Sequence, residues 1–282
     1  MTAARKLISG LKQFINFRQG RLNARKYIRE QQRVRDTLSR GFAKKLAREL
    51  NKTIDQSKVS LENQVIPEIS ILIQSNNNAI SGTIAEYARK TYRAIFELNF
   101  VKYDRVLQKQ EGDPLDFGRS AIFENAVRAY LLTRDPLITN ISRNMAERII
   151  NHILDERLAD KTLPQIAAGI SNKFGPINRS RANVIARTET HSAAGYANHD
   201  YHEQASDSFG LSMIKQWVST SDARTRPAHA TMNGTKVDMN EDFLMPNGTR
   251  MSFCGDAKGG AANVVNCRCV TLYHDPEDFV ED

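Results

Sequence analysis

The chain predicts an α+β fold, with a mostly helical N-terminal two-thirds and a small C-terminal module that contains β-hairpins. Three observations predict it. Apolar residues recur at three- and four-residue steps as far as about residue 205. Beyond that point short runs such as Ile214 to Val218 are separated by the turn dipeptides Asn233-Gly234 and Asn247-Gly248. At 282 residues and 40% hydrophobic content, the chain is long enough to bury one large core or two ordinary ones.

Residues 1–50 read as a basic amphipathic helical arm. Leu7, Leu11, Phe14 or Ile15, and later Val34, Leu38, Phe42, Leu46 and Leu50 keep a helical step, with Gly20 and Gly41 expected as bends. Residues 1–48 hold fourteen Lys or Arg against Glu30 and Asp36, a net +12 in a chain whose total is +8. The rest of the chain is therefore mildly acidic. The cations expected to meet phosphates are Arg18, Arg21, Arg25, Lys26, Arg29, Arg33, Arg35, Arg40, Lys44, Lys45 and Arg48. A solvated face that touches nothing is the plainer reading. Membrane-surface binding is disfavoured because Leu, Phe and Trp are sparse between residues 18 and 33. No apolar stretch approaches the roughly 18 residues that span a bilayer, so no membrane partner is expected. The N-terminus lacks a secretory apolar region, and its basic run is longer than a mitochondrial presequence needs.

Residues 51–137 read as a helical region, with loops at Ser75 to Asn78, Glu111 to Pro114 and Asp135-Pro136. A C-terminal domain is expected over 138–282, helical to about 205, then β-rich, then an acidic tail from Asp275. Ile138, Ile141, Met145, Ile149 and Ile153 form a stripe that should pack inward. Thr162 with Gln165 is a helix-start pattern, and Gly175-Pro176 is expected to stop that helix. Ala182, Ala186, Ala193 and Ala197 then place small side chains near one face of the next helix. On it, Arg187, His191, Gly195 and His199 are four apart, and His202 and Glu203 follow within a turn. They could form a metal or acid-base cluster, but without a His-Glu-x-x-His pattern the expectation is exposed polar residues, with Arg187 and Glu189 in structural ion pairs.

In the module, Trp217 is expected as a core anchor, and Val264 to Leu272 as a closing strand. Asp222, Arg224, Arg226 and His229 lie in one polar loop and are expected to hold it together as a charge network. The three cysteines, Cys254, Cys267 and Cys269, are an odd number in a short span, which is no disulfide framework. Cys267 and Cys269 are two apart on an expected strand, so their thiols share a side. With Cys254 brought opposite and His229 folded over, the four would make a Cys₃His set able to hold a structural zinc ion. The alternative is that the cysteines simply fill core. No other cofactor is expected.

Four segments, in order, carry a resemblance: Ile185-Ala-Arg-Thr-Glu-Thr190, the run from Lys215 to His229, Met232-Asn233-Gly234, and Asn263-Val-Val-Asn-Cys-Arg-Cys269. Together they resemble the phage Mu F-like minor head proteins, the phage head morphogenesis family. The matching residues include Arg187, Thr188, Glu189, Trp217, Asp222, Arg224, Arg226, His229, Gly255, Asp256 and Asn266. Before Gly-Asp, similar proteins usually have proline; this chain has Cys254. The resemblance covers about 138–272. It implies a minor capsid protein of a tailed phage or prophage, with the matching residues structural and no catalytic activity. Implied partners are the portal protein and other head proteins. The implied location is the virion head, and the host cytoplasm during assembly. The basic arm adds an expectation of non-specific contact with double-stranded DNA. The alternative is a metal-dependent nuclease or toxin-like enzyme built on His229, Cys254, Cys267, Cys269 and nearby Asp222. ADP-ribosyl transfer, prompted by Arg-Thr-Glu, would rest on three common residues.

Overall fold

The computed structural model describes residues 21–107, 121–209 and 212–274. Its elements run α1 (Arg21–Glu62), α2 (Ile69–Leu107), α3 (Ala121–Leu132), α4 (Asp135–Leu158), α5 (Leu163–Phe209), β1 (Ile214–Val218), α6 (Pro227–Thr231), β2 (Lys236–Asp238), β3 (Phe243–Leu244), β4 (Arg250–Met251), a 3₁₀ turn (Ala257–Gly259), α7 (Gly260–Val264) and β5 (Val270–His274). The α+β class is the observed one. The chain forms two compact units, one of residues 1–36, 90–127 and 190–282, the other of 37–89 and 128–189. Residue 50 lies inside α1 and residue 137 inside α4.

The second unit is all helical. Its core takes Phe42, Leu46, Leu50, Ile54 and Leu61 from α1, Leu72, Ile80 and Ile84 from α2, and the stripe Ile138, Ile141, Met145, Ile149 and Ile153 from α4. These residues are at most 8% exposed, as a period near 3.6 requires of a helix with one face inward. Three sequence expectations are corrected here. Gly41 does not bend α1: a Cβ there would stand 3.0 Å from the Tyr87 hydroxyl, and Tyr87 stacks on Phe42 at 4.8 Å, so the glycine serves close approach. Ser75 to Asn78 is helix rather than loop. Asn76 is fully buried and accepts from Thr53 Oγ1 at 2.5 Å, so its amide is used across the core instead of turning its own backbone. Gly175-Pro176 does not end α5, because Ile170 and Phe174 before it and Ala182 and Ala186 after it lie in the same core, which outweighs the lost backbone bond. Thr162 does start the helix, with its backbone N–H donating to Gln165 Oε1 at 2.8 Å.

In the first unit, β1 lies centrally in an antiparallel sheet of order β2-β1-β5, with Ile214 opposite both Asp238 and His274. β3 and β4 form a separate hairpin across Asn247-Gly248. The first strand has the bounds the sequence predicted. Its alternate residues Lys215 and Trp217 are buried, and Trp217 packs with Phe243, Met232, Met245 and Met251. The closing strand is shorter than expected: residues 260–264 are helical, and the chain becomes a strand only at Val270. Asn266 (φ 55°) sits between them in the left-handed region, which asparagine tolerates better than most residues. All five residues of β5 are buried.

Residues expected as an arm are part of this unit too. The Tyr27 hydroxyl from α1 lies 2.6 Å from the side-chain Oδ1 of both Asn99 and Asn198, and Asn198 Nδ2 donates to the Thr271 backbone carbonyl at 3.0 Å. Arg18, Leu7, Leu11, Phe14, Ile15, the Glu111 to Pro114 loop and the acidic tail lie outside the described residues, as does the side chain of Arg21. Among the described residues no helix is long and apolar enough to cross a membrane.

Candidate functional site

The site is assembled from four pieces of the first unit. α6 is a five-residue helix whose one buried residue is His229. The segment between Asn266 and β5 carries Cys267 and Cys269, both buried, while Arg268 between them is half-buried and reaches Asp222 on the surface. His229 Nδ1 lies 3.5 Å from Cys267 Sγ and 3.4 Å from Cys269 Sγ. The three ligand atoms fall within 4.8 Å of one another, and all three residues are buried. The sequence expectation that these side chains converge therefore holds for three of its four members. Cys254 is buried beside them in the same cluster, but its sulfur is not in the 4.8 Å group.

Helix α5 and the loop of residues 252–256 form the opposite wall. They meet closely: a Cβ on Gly195 would come within 2.4 Å of the Cys254 carbonyl oxygen. Gly255 has φ 94°, and a Cβ there would lie 3.0 Å from the His191 ring and 3.2 Å from Ser192 Cα. Asp256 fixes the loop, accepting from Ser252 N at 2.8 Å and Lys258 N at 3.0 Å. The Gly-Asp pair thus has a mechanical reason, one residue for approach and the next for closure.

His191 and Arg35 complete the surroundings. Arg35 belongs to the set expected to meet phosphates, and that assignment is corrected: it is only 8% exposed and donates to His191 Nδ1. His191, 4% exposed, also neighbours Cys267. The expectation of exposed polar residues on this helix is corrected as well. His191 and His202 are buried, and His202 stacks on Tyr273 at 4.3 Å. Glu189 pairs with Arg134 at 3.3 Å, not with Arg187, which is exposed; Tyr130 donates to the same carboxylate at 3.2 Å. Thr188 is buried beside it.

Charge in the cluster is asymmetric. The Cys269 thiol, opposed by burial but helped by His191 and His229, holds the Cys267 thiol well below its usual range. The second proton is then hard to remove, so Cys269 is raised. Burial also raises Cys254 and lowers His191. Two soft ligands, one already inclined to ionise, and an imidazole in a closed pocket could hold a soft divalent cation.

The polar loop is looser than expected. Asp222 meets Arg268 in a bidentate pair at 2.5 and 2.6 Å, which holds its carboxyl below the usual carboxylate range, yet the pair is on the surface. Arg224 is 76% exposed, while Arg226 donates to the Val265 carbonyl. These residues do not form one buried charge network. Of the expected phosphate-facing cations, Arg25, Lys26, Arg29, Arg33, Arg40, Lys44 and Arg48 are exposed, and Lys45 pairs with Glu86.

Comparison with known proteins gives three results. Residues 139–272 match the family described as Phage Mu protein F like protein. The chain is 23% identical over 209 residues to the minor head protein GP7 of Bacillus phage SPP1, covering 72% of this chain and 66% of that one. It is 30% identical over 132 residues to the NAD(+)--arginine ADP-ribosyltransferase EFV of Enterococcus faecalis, covering 45% of this chain and 26% of that one. The chain thus spans about a quarter of one relative and about two thirds of the other. No solved structure matches.

Proposed function

We propose, on the premise that residues 139–272 belong to the Phage Mu protein F like family, that the chain is a minor capsid protein of a tailed phage or prophage, acting in head assembly at or near the portal and touching packaged DNA non-specifically. The alignment with a minor head protein over 72% of the chain supports the capsid role, since it extends well before residue 139. One observation carries the DNA contact: α1 buries one face and keeps cations on the other. Arg25, Arg29 and Arg33 recur every four residues in the first unit, and Arg40, Lys44 and Arg48 do so in the second. Cations four apart on a helix stand about 6 Å apart along its axis and share a face, a geometry suited to a row of phosphates.

A truncation would be a poor test, because Phe42, Leu46 and Leu50 are core. Charge neutralisation keeps the fold. The wild type is expected to bind duplex DNA of any sequence at low salt, with log K against log salt falling by about 0.9 per phosphate contacted. Replacing Arg25, Lys26, Arg29 and Arg33 by glutamine should flatten that slope by roughly one contact each. An unchanged slope in both this variant and the Arg40, Lys44, Arg48 counterpart would refute the DNA role. The capsid role is tested separately, by mass spectrometry of purified heads for a few copies of the chain.

The match to an arginine ADP-ribosyltransferase favours a second reading, an enzyme. Against it, the carboxylate of the Arg187-Thr188-Glu189 run is 2% exposed and committed to Arg134, and the cysteine-histidine cluster is closed. Assays for NAD-dependent arginine modification, and for nuclease activity with Mg²⁺, Mn²⁺ and Zn²⁺, separate the two; turnover abolished by E189Q would establish the enzyme.

A further inference from the structure

We propose that His229, Cys267, Cys269 and Cys254 bind one structural zinc ion, and that buried Arg35, acting through His191, balances the charge of that centre. The first argument is distance. Zinc bound tetrahedrally at ~2.3 Å to sulfur and ~2.1 Å to nitrogen sets each sulfur about 3.6 Å from the nitrogen. His229 Nδ1 stands 3.5 and 3.4 Å from the two sulfurs. All three groups are buried, so the set is shielded from competing oxygen ligands.

The fourth ligand has two candidates, His191 and Cys254. Arginine can only donate hydrogen bonds, so the Arg35 bond to His191 Nδ1 leaves the imidazole proton on Nε2. Nitrogen carrying a proton has no lone pair for a metal. That Nε2–H is buried with no hydrogen-bond partner in place, and the neighbouring Cys267 sulfur is the acceptor it would serve once a metal ionises the thiol. Cys254 remains: it is 1% exposed, packed in the same cluster, and electrostatically linked to both Cys267 and Cys269. Its sulfur lies outside the group of three, so metal binding draws it inward.

Charge supplies the third argument. Zinc with three thiolates and a neutral histidine carries a net −1, and an uncompensated charge in a closed interior is costly. Arg35 is 8% exposed, and its positive charge is coupled to all three cysteines. One buried cation therefore cancels the centre, which explains why this one member of a solvent-facing basic helix turns inward.

Elemental analysis of full-length protein purified without added metal should give about one zinc per chain. Less than about 0.2, with no change in melting on chelation, would overturn the site, since a structural metal couples binding to folding. X-ray absorption at the zinc edge of the wild type should report three sulfurs and one nitrogen; two sulfurs and two nitrogens would overturn Cys254 and name His191. R35M should bind zinc about 10–100-fold more weakly than the wild type, as loss of a supporting residue does, and R35K should recover part of that. Equal affinity in R35M would overturn the charge-balancing role. If R35M does not fold, the lysine variant alone decides: zinc content and affinity equal to the wild type support a requirement for charge, and loss of metal from a folded R35K refutes it.

Discussion

The same substitution, glycine to alanine, should have opposite signs at two places on α5. At Gly195 a new Cβ would stand 2.4 Å from the Cys254 carbonyl oxygen and 3.0 Å from Phe253 Cδ2. The first is a backbone atom, so relief requires moving the loop by about 1 Å, against ordinary contact near 3.5 Å. The loop resists, because Cys254 N donates to Thr271 Oγ1 at 2.9 Å and Asp256 closes the turn behind it. Overpacking of this sort costs about 1–3 kcal/mol, and the better helix propensity of alanine returns at most about 1 kcal/mol. G195A should thus be destabilised by about 1–2 kcal/mol. At Gly169, exposed and with nothing within 4 Å, only the propensity gain operates, so G169A should be about 0.5–1 kcal/mol more stable. Equilibrium urea unfolding measures both. Trp217, the single tryptophan, sits in the first unit with Gly195, so its fluorescence reports the Gly195 effect while circular dichroism follows the helices of both units. A G195A protein at least as stable as the wild type would refute the tight helix-to-loop contact.

Three further expectations concern charged and titratable groups. Removing Arg134 strands the Glu189 carboxylate, and R134M should cost about 3–5 kcal/mol in a thermal or urea melt, with the R134M/E189Q double variant recovering part of it; a cost below about 1 kcal/mol would contradict the pair. Burial, reinforced by Lys215 and Lys236 respectively, pushes His199 down to about 3 and His274 down to about 4. A histidine with a lowered folded-state pKa contributes its stability fully above about 6.5 and loses it as pH falls toward the folded value. The protein should therefore weaken between pH 6.5 and 4, by something on the order of 3 kcal/mol for His274 alone, and H274Q should flatten that slope. Finally, R268Q should change melting little, and the residual effect should vanish at high salt, because its Asp222 partner is on the surface.

What the sequence made legible was periodic or forced by backbone geometry. The stripe from Ile138 to Ile153, the strand from Ile214 to Val218 and the Trp217 anchor each follow from one local pattern. The cysteine-histidine convergence was legible because a one-residue spacer puts two thiols on one side. What stayed hidden depends on partners distant in sequence. Arg35 reads as one more cation on a basic helix, and only its packing against His191, 156 positions away, sets it apart. Glu189 was expected in a structural ion pair, but its partner Arg134 stands at the start of another helix, 55 positions earlier. Pro176 shows the converse: a strong local signal overridden by a core that extends on both sides of it.

The sheet itself carries a consequence for contact between copies of the chain. β5 is an outer strand, and such a strand normally offers unpaired backbone groups on which another chain can add. Trp217 exchanges its backbone bonds with residues 234 and 235, so its opposite number, Thr271, turns its own backbone outward. That outward carbonyl is taken by Asn198 from α5. A helix side chain therefore occupies the position an invading strand would use. At this position the outer edge of β5 is occupied, which opposes the addition of another strand there.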